Sequence, residues 1–221
     1  MKLLLTSSGN TNKSIEKALQ ELLGKPFSTA NIVFIPTAAN VEDDTSGWLE
    51  KDINNFKKLG FSAMDVVDIA SETKEVWKEV LDNADILVFG GGNEKYLIEK
   101  IREVGLDKLL SEYLKTKIYV GISAGSMITT KKISLNDTGQ FYYEDFGRKE
   151  KVDGLGYVDF EIRPHLNSEY FTQVRLDVLE KIAPQIKHPF YAIDDNTAIK
   201  VVGDDISVVT EGEWKLFNDI S

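Results

Sequence analysis

The chain contains no cysteine among its 221 residues, and it has only two histidines, His165 and His188. The first absence excludes disulfide bonds, thiolate metal ligands and a cysteine nucleophile. Two imidazoles far apart in the sequence argue against a zinc site, so we expect neither a metal nor another cofactor. Long apolar runs are also absent, and the N-terminal MKLLLTSSGN predicts neither a secretion signal nor a membrane span. We therefore expect a cytoplasmic protein.

Positive charge is in deficit, with 26 Lys and Arg against 36 Asp and Glu and a formal net charge of −10. This balance argues against nucleic-acid binding, which requires a basic surface to neutralise phosphates. A small anionic substrate in one local basic pocket remains compatible with it. Hydrophobic residues make up 42% of the chain, which is enough for a sizeable core. The sequence does not choose an oligomeric state, and a homodimer is compatible with it.

Short apolar runs rich in β-branched residues alternate with amphipathic stretches in the first part of the chain. Strands are predicted over 2–7, 31–38, 64–69, 85–93 and 117–126, and helices over 14–23, 48–59, 74–81, 94–104 and 106–114. This alternation predicts an α/β fold with a mostly parallel central sheet and helices on both faces. Ligands bind at the carboxyl ends of the strands in such sheets, and two glycine-rich turns, GGGN and GISAGS, lie there.

The second half of the chain is less regular. Residues 131–161 are polar, aromatic and rich in glycine, and the sequence does not decide whether 137–153 closes over a site. Beyond them we expect a strand over 158–166, a helix over 171–182, and strands over 190–202 and 205–217 in hairpins or meanders. Because no linker, repeat or low-complexity tract interrupts the chain, we expect a single α/β domain over residues 1–221.

The turn GISAG at 121–125 matches G-x-S-x-G, follows an apolar strand and precedes a predicted helix. This is the context of a nucleophile elbow, in which a tight turn exposes the serine hydroxyl, here that of Ser123. Glycine two residues before and after the serine lets strand and helix cross closely, and the Ala124 N–H would face a developing oxyanion. A glycine-rich turn with a buried serine, or a phosphate-binding turn, also fits the pattern.

A serine hydroxyl becomes a good nucleophile only when a base removes its proton. His165 follows a proline at the predicted end of a strand, and we expect it to be that base. His188 lies in a polar connection and is interpreted as a surface or capping residue. A carboxylate should then hold the imidazole in the useful tautomer. The residues alone do not choose among the candidates, which are Asp137, Glu161, Glu169, Asp194 and Asp195.

The other glycine turn, GGGN at 90–93, ends a neighbouring predicted strand. Consecutive glycines permit close approach of the backbone and leave N–H groups free, so this turn could complete an oxyanion hole. It lacks the spacing of dinucleotide-binding and phosphate-binding loops. Gly91, Gly92 and Asn93 are therefore candidates for oxyanion or substrate binding, together with Ala124.

These landmarks together resemble the peptidase E (aspartyl dipeptidase) family, which includes the cyanophycinases. KLLLTSSG, FIPTA, FGGGN, GISAGS, RPHL and AIDDNTAIKV occur in the family's order over most of the chain. The resemblance implies an α/β fold like that of class I glutamine amidotransferases, of the flavodoxin-like type, with serine at the elbow. It also implies a serine–histidine–glutamate triad, with Ser123 as nucleophile, His165 as base and Asp195 in the place of the glutamate. Gly92 and Ala124 correspond to the oxyanion donors.

The chain departs from the family pattern in three places. Asp195 is one methylene shorter than glutamate, so Asp194 remains an alternative for the third position. Asp137 lies in a segment resembling a family Asn-Asp motif and could shape the pocket. Glu94 follows GGGN where threonine is expected.

The resemblance implies cleavage of small peptides, with a preference for N-terminal aspartate. Such a preference requires a cation for the aspartyl carboxylate, and the candidates are Arg163, Arg175, Lys131 and Lys132. Few arginines follow His165, which favours a broader small-peptide specificity. The alternatives are cyanophycinase-like cleavage of an aspartate–arginine polymer, amidase activity on non-peptide amides, and a non-catalytic protein that binds a small ligand.

Overall fold

The computed structural model describes residues 1–45, 47–133 and 152–219. The strands in these ranges are β1 (Lys2–Thr6), β2 (Asn31–Ile35), β3 (Ala63–Val66), β4 (Ile86–Phe89), β5 (Ile118–Ile122), β6 (Lys132–Ile133), β7 (Val152–Asp153), β8 (Glu161–Arg163), β9 (Phe190–Ile193), β10 (Thr197–Val202), β11 (Asp205–Thr210) and β12 (Trp214–Phe217). The helices are α1 (Lys13–Leu23), α2 (Trp48–Lys57), α3 (Lys74–Asn83), α4 (Glu94–Glu103), α5 (Leu106–Tyr113), α6 (Ala124–Met127) and α7 (Leu176–Ile182). None of the helices in the described ranges is long and apolar enough to cross a membrane.

A seven-stranded sheet forms the centre of the described fold, in the order β11-β10-β1-β5-β4-β2-β3. Strands β1, β5, β4, β2 and β3 are parallel to their neighbours in this order. β10 pairs with β1, and β11 with β10, in the antiparallel sense. Thr6 of β1 pairs with Ile122 of β5, and Phe89 of β4 pairs with Gly121. The turns that follow β1, β4 and β5 therefore lie side by side at the carboxyl edge of the sheet.

Helices cover both faces of this sheet because alternate strand residues point to opposite sides. Leu3 and Leu5 of β1 belong to a core that includes residues of α3, α4 and α5, whereas Leu4 belongs to the core formed with α1 and α2. The mostly parallel α/β sheet predicted from the sequence is thus confirmed. The bounds of the predicted helices in this half agree with the structure within two residues, and the strands are shorter than predicted.

The cap of helix α1 and the loop before it fix the position of the turn after β9. The Asn12 side chain caps its N-terminus by accepting a hydrogen bond from the Ile15 N–H at 3.0 Å, and Gly24 ends it with a φ of 71°. The loop before the cap also reaches across to the turn after β9. There, the Thr11 hydroxyl donates to the Asp195 carbonyl at 2.8 Å, and the Asn12 amide donates to the Asn196 carbonyl at 2.9 Å.

The C-terminal part of the chain differs from the prediction because it divides between two sheets. The predicted strand over 190–202 breaks at 194–196 into β9 and β10, and 205–217 breaks at 211–213 into β11 and β12. β10 and β11 form the predicted hairpin on the central sheet, whereas β9 joins β8 and β12 in a separate three-stranded sheet. Residues 171–175 are not helical, and α7 begins at Leu176. The single domain over 1–221 stays a prediction.

Candidate active site

Ser123 lies on a strained turn between β5 and α6. Its φ of 47° and ψ of −110° lie outside the regions that non-glycine residues favour. The flanking glycines are sterically required: a Cβ at Gly121 would lie 2.7 Å from the Gly125 carbonyl oxygen, and a Cβ at Gly125 would lie 2.1 Å from the Phe89 carbonyl oxygen. The turn therefore has the close strand–helix crossing that the G-x-S-x-G pattern predicts.

A continuous line of hydrogen bonds runs from Ser123 through His165 to Asp195. Ser123 Oγ lies 2.9 Å from His165 Nε2, and His165 Nδ1 lies 2.7 Å from Asp195 Oδ1. If Nδ1 carries the proton that it donates to the carboxylate, Nε2 is left as an acceptor for the serine hydroxyl. His165 is 9% exposed, and its ring stacks on Phe171 with centroids 4.3 Å apart. The structure thus brings the three sequence-predicted residues together.

The other carboxylate candidates lie elsewhere. Asp194 Oδ1 accepts the Thr197 hydroxyl at 2.6 Å and Asp194 Oδ2 accepts the Glu213 N–H at 2.7 Å, so this side chain holds the turn after β9. Glu161 is buried and pairs with Nε2 of His188. Glu169 is exposed, and Asp137 lies outside the described residues. His188, interpreted from the sequence as a surface or capping residue, is half-buried, and its Nε2 forms a hydrogen bond with this buried carboxyl group.

Ser7 is a site residue that the sequence reasoning missed. Its hydroxyl donates to Asp195 Oδ1 at 2.7 Å and accepts the His165 backbone N–H at 2.8 Å, and Ser7 is fully buried. The Ser7 side chain therefore holds both the Asp195 carboxylate and the His165 backbone in place. The available signal was its position directly after β1, at the carboxyl edge where ligands bind in parallel sheets.

Replacement of Ser7 by alanine is expected to lower kcat roughly 10- to 100-fold, because it removes a buried hydrogen bond to the Asp195 carboxylate and the hydroxyl that accepts the His165 backbone N–H. KM should change little, since Ser7 lies beneath the histidine. Steady-state kinetics on any peptide that the wild type cleaves provides the test, with exposed Ser111→Ala as control. A raised KM with an unchanged kcat would contradict a positioning role.

The glycine turn after β4 lies against the serine turn. A Cβ at Gly91 would lie 3.5 Å from Ser123 Cβ, and a Cβ at Gly92 would lie 2.3 Å from the Ala38 carbonyl oxygen. Gly92 has a φ of 123°, which only glycine adopts readily. Within the described part of the chain, neither the Gly92 N–H nor the Ala124 N–H donates to a backbone acceptor. Both remain available to a ligand oxygen.

Asn93, a predicted candidate for oxyanion or substrate binding, uses its backbone N–H and its side-chain oxygen within the protein. Its N–H donates to the Ala38 carbonyl at 2.9 Å, and its side chain accepts the Tyr96 N–H at 2.9 Å as the cap of α4. The backbone N–H and side-chain oxygen of Asn93 thus hold the turn in place.

The carboxyl group of Asp195 is held in its ionised form. Burial alone would raise its pKa, but the hydrogen bond from His165, the His165 charge and the hydrogen bonds from Ser7 and Ser8 lower it to about 2. Asp195 therefore carries a full negative charge near neutral pH, as an orienting group for an imidazole requires.

A second carboxyl group near the site behaves in the opposite way. Asp52 lies on the inward face of α2 and is 8% exposed. Burial raises its pKa to about 7, Lys51 opposes this shift, and the negative charge of Asp195 adds to it. The sequence reasoning identified the apolar stripe of α2 but missed this polar residue within it, four positions from both Trp48 and Phe56.

The folded-state pKa of Asp52 lies above the value of about 3.9 expected when the chain is unfolded. The stability contributed by the protonated carboxyl group is therefore lost as pH rises from about 4 through 7. Asp52→Asn removes this titration. We expect the free energy of unfolding of the variant relative to wild type to increase by about 4 kcal/mol between pH 4 and pH 8. Urea denaturation across this range measures it, and a difference that does not vary with pH would contradict the shift.

The four cations considered for substrate binding have distinct surroundings. Arg163 is fully buried, and Lys131 pairs with Asp159. Lys132 is exposed. Arg175 Nη1 donates to the Ser168 carbonyl at 2.9 Å, within the loop that begins at His165. Among the residues described here, no group of three or more histidine, aspartate and glutamate side chains is placed to hold a metal ion.

The fold and this arrangement define a class: α/β proteins that present a serine on a nucleophile elbow at the carboxyl edge of a mostly parallel sheet. The model of peptidase family S51 matches residues 3–209. The chain therefore belongs to peptidase family S51, and it is a serine-type peptidase with a class I glutamine amidotransferase-like fold.

Known relatives agree with this membership. An uncharacterised peptidase of Listeria monocytogenes is 29% identical over 182 residues, covering 79% of this chain and 83% of the relative. Peptidase E of a Nostoc species is 30% identical over 170 residues, covering 74% of this chain and 64% of the relative. A crystal structure titled as a putative peptidase E from Listeria monocytogenes superposes with a TM-score of 0.77 at 27% identity, over 96% of this chain and 98% of that one.

Proposed function

We propose that this peptidase hydrolyses small peptides through a Ser123–His165–Asp195 triad, as a dipeptidase that prefers N-terminal aspartate. The observation that supports the triad most strongly is the unbroken hydrogen-bonded line from Ser123 Oγ through His165 to Asp195 Oδ1, with distances of 2.9 and 2.7 Å. The proposed setting is the cytoplasm, with no nucleic acid involved.

In the proposed mechanism Ser123 Oγ attacks the scissile carbonyl carbon while His165 Nε2 takes the hydroxyl proton. His165 then donates this proton to the leaving amine, and an acyl-enzyme remains on Ser123. Water, deprotonated by the same imidazole, attacks the ester and releases the N-terminal residue. Asp195 keeps the imidazole in the tautomer with Nδ1–H and stabilises its charged form.

The proposed oxyanion hole consists of the Gly92 and Ala124 N–H groups. Neither N–H donates to a backbone acceptor among the described residues, and this supports the assignment, since donors that are free before substrate arrives need no rearrangement during the reaction. Gly91, which has no side chain, leaves room for the substrate beside Ser123.

Aspartate preference requires a positive charge for the substrate's side-chain carboxylate. Arg175 is the proposed partner, because its guanidinium already contacts the loop that begins at His165. Arginine suits this task, since its planar group can bind a carboxylate with two parallel hydrogen bonds.

The test is a comparison of kcat/KM for aspartyl-leucine, glutamyl-leucine and alanyl-leucine, for wild type and Arg175→Gln, with exposed Arg102→Gln as control. We expect wild type to prefer aspartyl-leucine and Arg175→Gln to lose roughly 10- to 100-fold on this substrate only. Equal rates on all three dipeptides would contradict the preference for aspartate and indicate a peptidase of broader specificity. Rapid release of aspartyl-arginine dipeptides from an aspartate–arginine polymer would favour the cyanophycinase-like alternative.

A further inference from the structure

The structure assigns Asp52 as the residue that binds the α-ammonium group of the substrate, and so restricts cleavage to the first peptide bond. This inference rests on the proposed peptidase site and adds to it the means by which a free amino terminus is recognised. It concerns a carboxyl group outside the Ser123–His165–Asp195 line.

The position of Asp52 follows from its two neighbours on the inward face of α2. Trp48 and Phe56 lie four residues before and after it, on the same side of the helix. A Cβ at Gly91 would lie 3.8 Å from Trp48 Cζ3 and 3.5 Å from Ser123 Cβ, so the Trp48 ring borders the space beside the nucleophile.

Phe56 marks the other side of Asp52. A Cβ at Gly9 would lie 3.6 Å from Phe56 Cε2 and 3.1 Å from Ile122 Cδ1, and Ile122 directly precedes Ser123. Asp52 therefore lies on α2 between a ring beside the nucleophile and a ring beneath the end of its strand.

Among the residues that the structure describes, the Asp52 carboxyl group has no hydrogen-bonding or ion-pairing partner. Across residues 1–45, 47–133 and 152–219, no hydrogen bond or ion pair reaches it, although the residue is 92% buried. An ionised carboxylate buried without a partner is destabilising, and such groups usually bind a cation or become protonated. The ionised Asp195 lies near enough to raise the pKa of Asp52. This negative region selects a positively charged ligand group.

The substrate of a peptidase that acts on free amino termini carries such a group in the required place. The α-nitrogen lies about 2.5 Å from the carbonyl carbon, given standard bond lengths and angles. With that carbon in contact with Ser123 Oγ, the carbonyl oxygen toward the Gly92 and Ala124 N–H groups and the leaving amine toward His165, the α-carbon takes the remaining direction. We place it beside Gly91, where the missing side chain leaves space between Ser123 and the Trp48 ring. An α-amino group is also cationic at neutral pH, because its pKa is about 8.

The first experiment compares two substrates that differ only in this group: aspartyl-leucine, and succinyl-leucine, in which hydrogen replaces the α-ammonium. We expect Asp52→Asn to lower kcat/KM for aspartyl-leucine roughly 10- to 100-fold and to leave that for succinyl-leucine within about twofold. The matched control is Glu50→Gln, which removes one negative charge from the exposed side of the same helix and should alter neither value. Equal losses on both substrates, or no loss on either, would overturn the inference.

Measuring dipeptide binding to the inactive Ser123→Ala variant separates this inference from the proposed function. Calorimetry with Ser123→Ala should give a Kd for aspartyl-leucine that rises at least roughly tenfold when Asp52→Asn is added, with no such rise for succinyl-leucine. If aspartyl-leucine binds no better than succinyl-leucine while Asp52 is present, the inference is wrong. Absence of Ser123-dependent hydrolysis in the wild type would overturn the proposed function alone, because this comparison still decides the role of Asp52.

Discussion

Replacement of Ser123 by alanine is expected to lower kcat for peptide hydrolysis by roughly 10⁴- to 10⁶-fold. The variant keeps the proposed oxyanion donors, the N–H groups of Gly92 and Ala124, but lacks the hydroxyl of residue 123 that would form the acyl-enzyme. KM or Kd for the substrate should change little, because the Ser123 hydroxyl contributes to bond formation more than to binding.

The measurement is single-turnover hydrolysis at high enzyme concentration, so that a small residual rate can be detected. Ser111→Ala, on the exposed face of α5, is the matched control and should retain wild-type activity. A Ser123→Ala enzyme within tenfold of wild type would remove this residue from the chemistry.

The second large effect is expected for Asp195→Asn, with a loss of about 10⁴-fold in kcat. The Asp195 carboxylate accepts a hydrogen bond from His165 Nδ1 at 2.7 Å. An asparagine amide in this position can donate to Nδ1 instead, which moves the imidazole proton to Nε2. A neutral imidazole that carries its proton on Nε2 cannot accept the serine proton at this nitrogen.

Asp194→Asn is the matched control, since it makes the same change one residue earlier. The Asp194 side chain accepts hydrogen bonds from Thr197 and from the Glu213 N–H, so its loss should lower thermal stability and leave kcat within a few fold. If Asp194→Asn abolishes activity and Asp195→Asn does not, the orienting role belongs to the other residue.

Much of the central sheet could be predicted because its signals are local. The runs that form β2, β4 and β5 are apolar on both sides, as strands buried between two helical layers must be. The glycines around Ser123 form a recognisable local pattern, although only Gly121 is required by its own turn: a Cβ there would clash with the Gly125 backbone, and a Cβ at Gly125 would clash with Phe89 of the neighbouring strand. The nucleophile elbow was therefore visible in five residues of sequence.

The remaining features depend on contacts between distant segments. The pairing of β9 with β8 and β12 divides apolar runs that read as continuous strands. Adjacent residues at a strand end point in opposite directions, so only the position of His165 distinguishes Asp195 from Asp194. Ser7 reaches His165 and Asp195 because β1 lies between β5 and β10, an order that the sequence does not state.

Activation of Ser123 by His165 is the central step of the proposed mechanism. The direct measurement is reaction with a fluorophosphonate, followed by mass spectrometry of the tryptic peptide 118–131, which carries both Ser123 and Ser126. We predict a single adduct on Ser123 in the wild type, no adduct in Ser123→Ala, and labelling slowed by at least about 10²-fold in His165→Ala. An adduct on another serine, equal labelling of Ser123→Ala, or no labelling of the wild type would contradict the account.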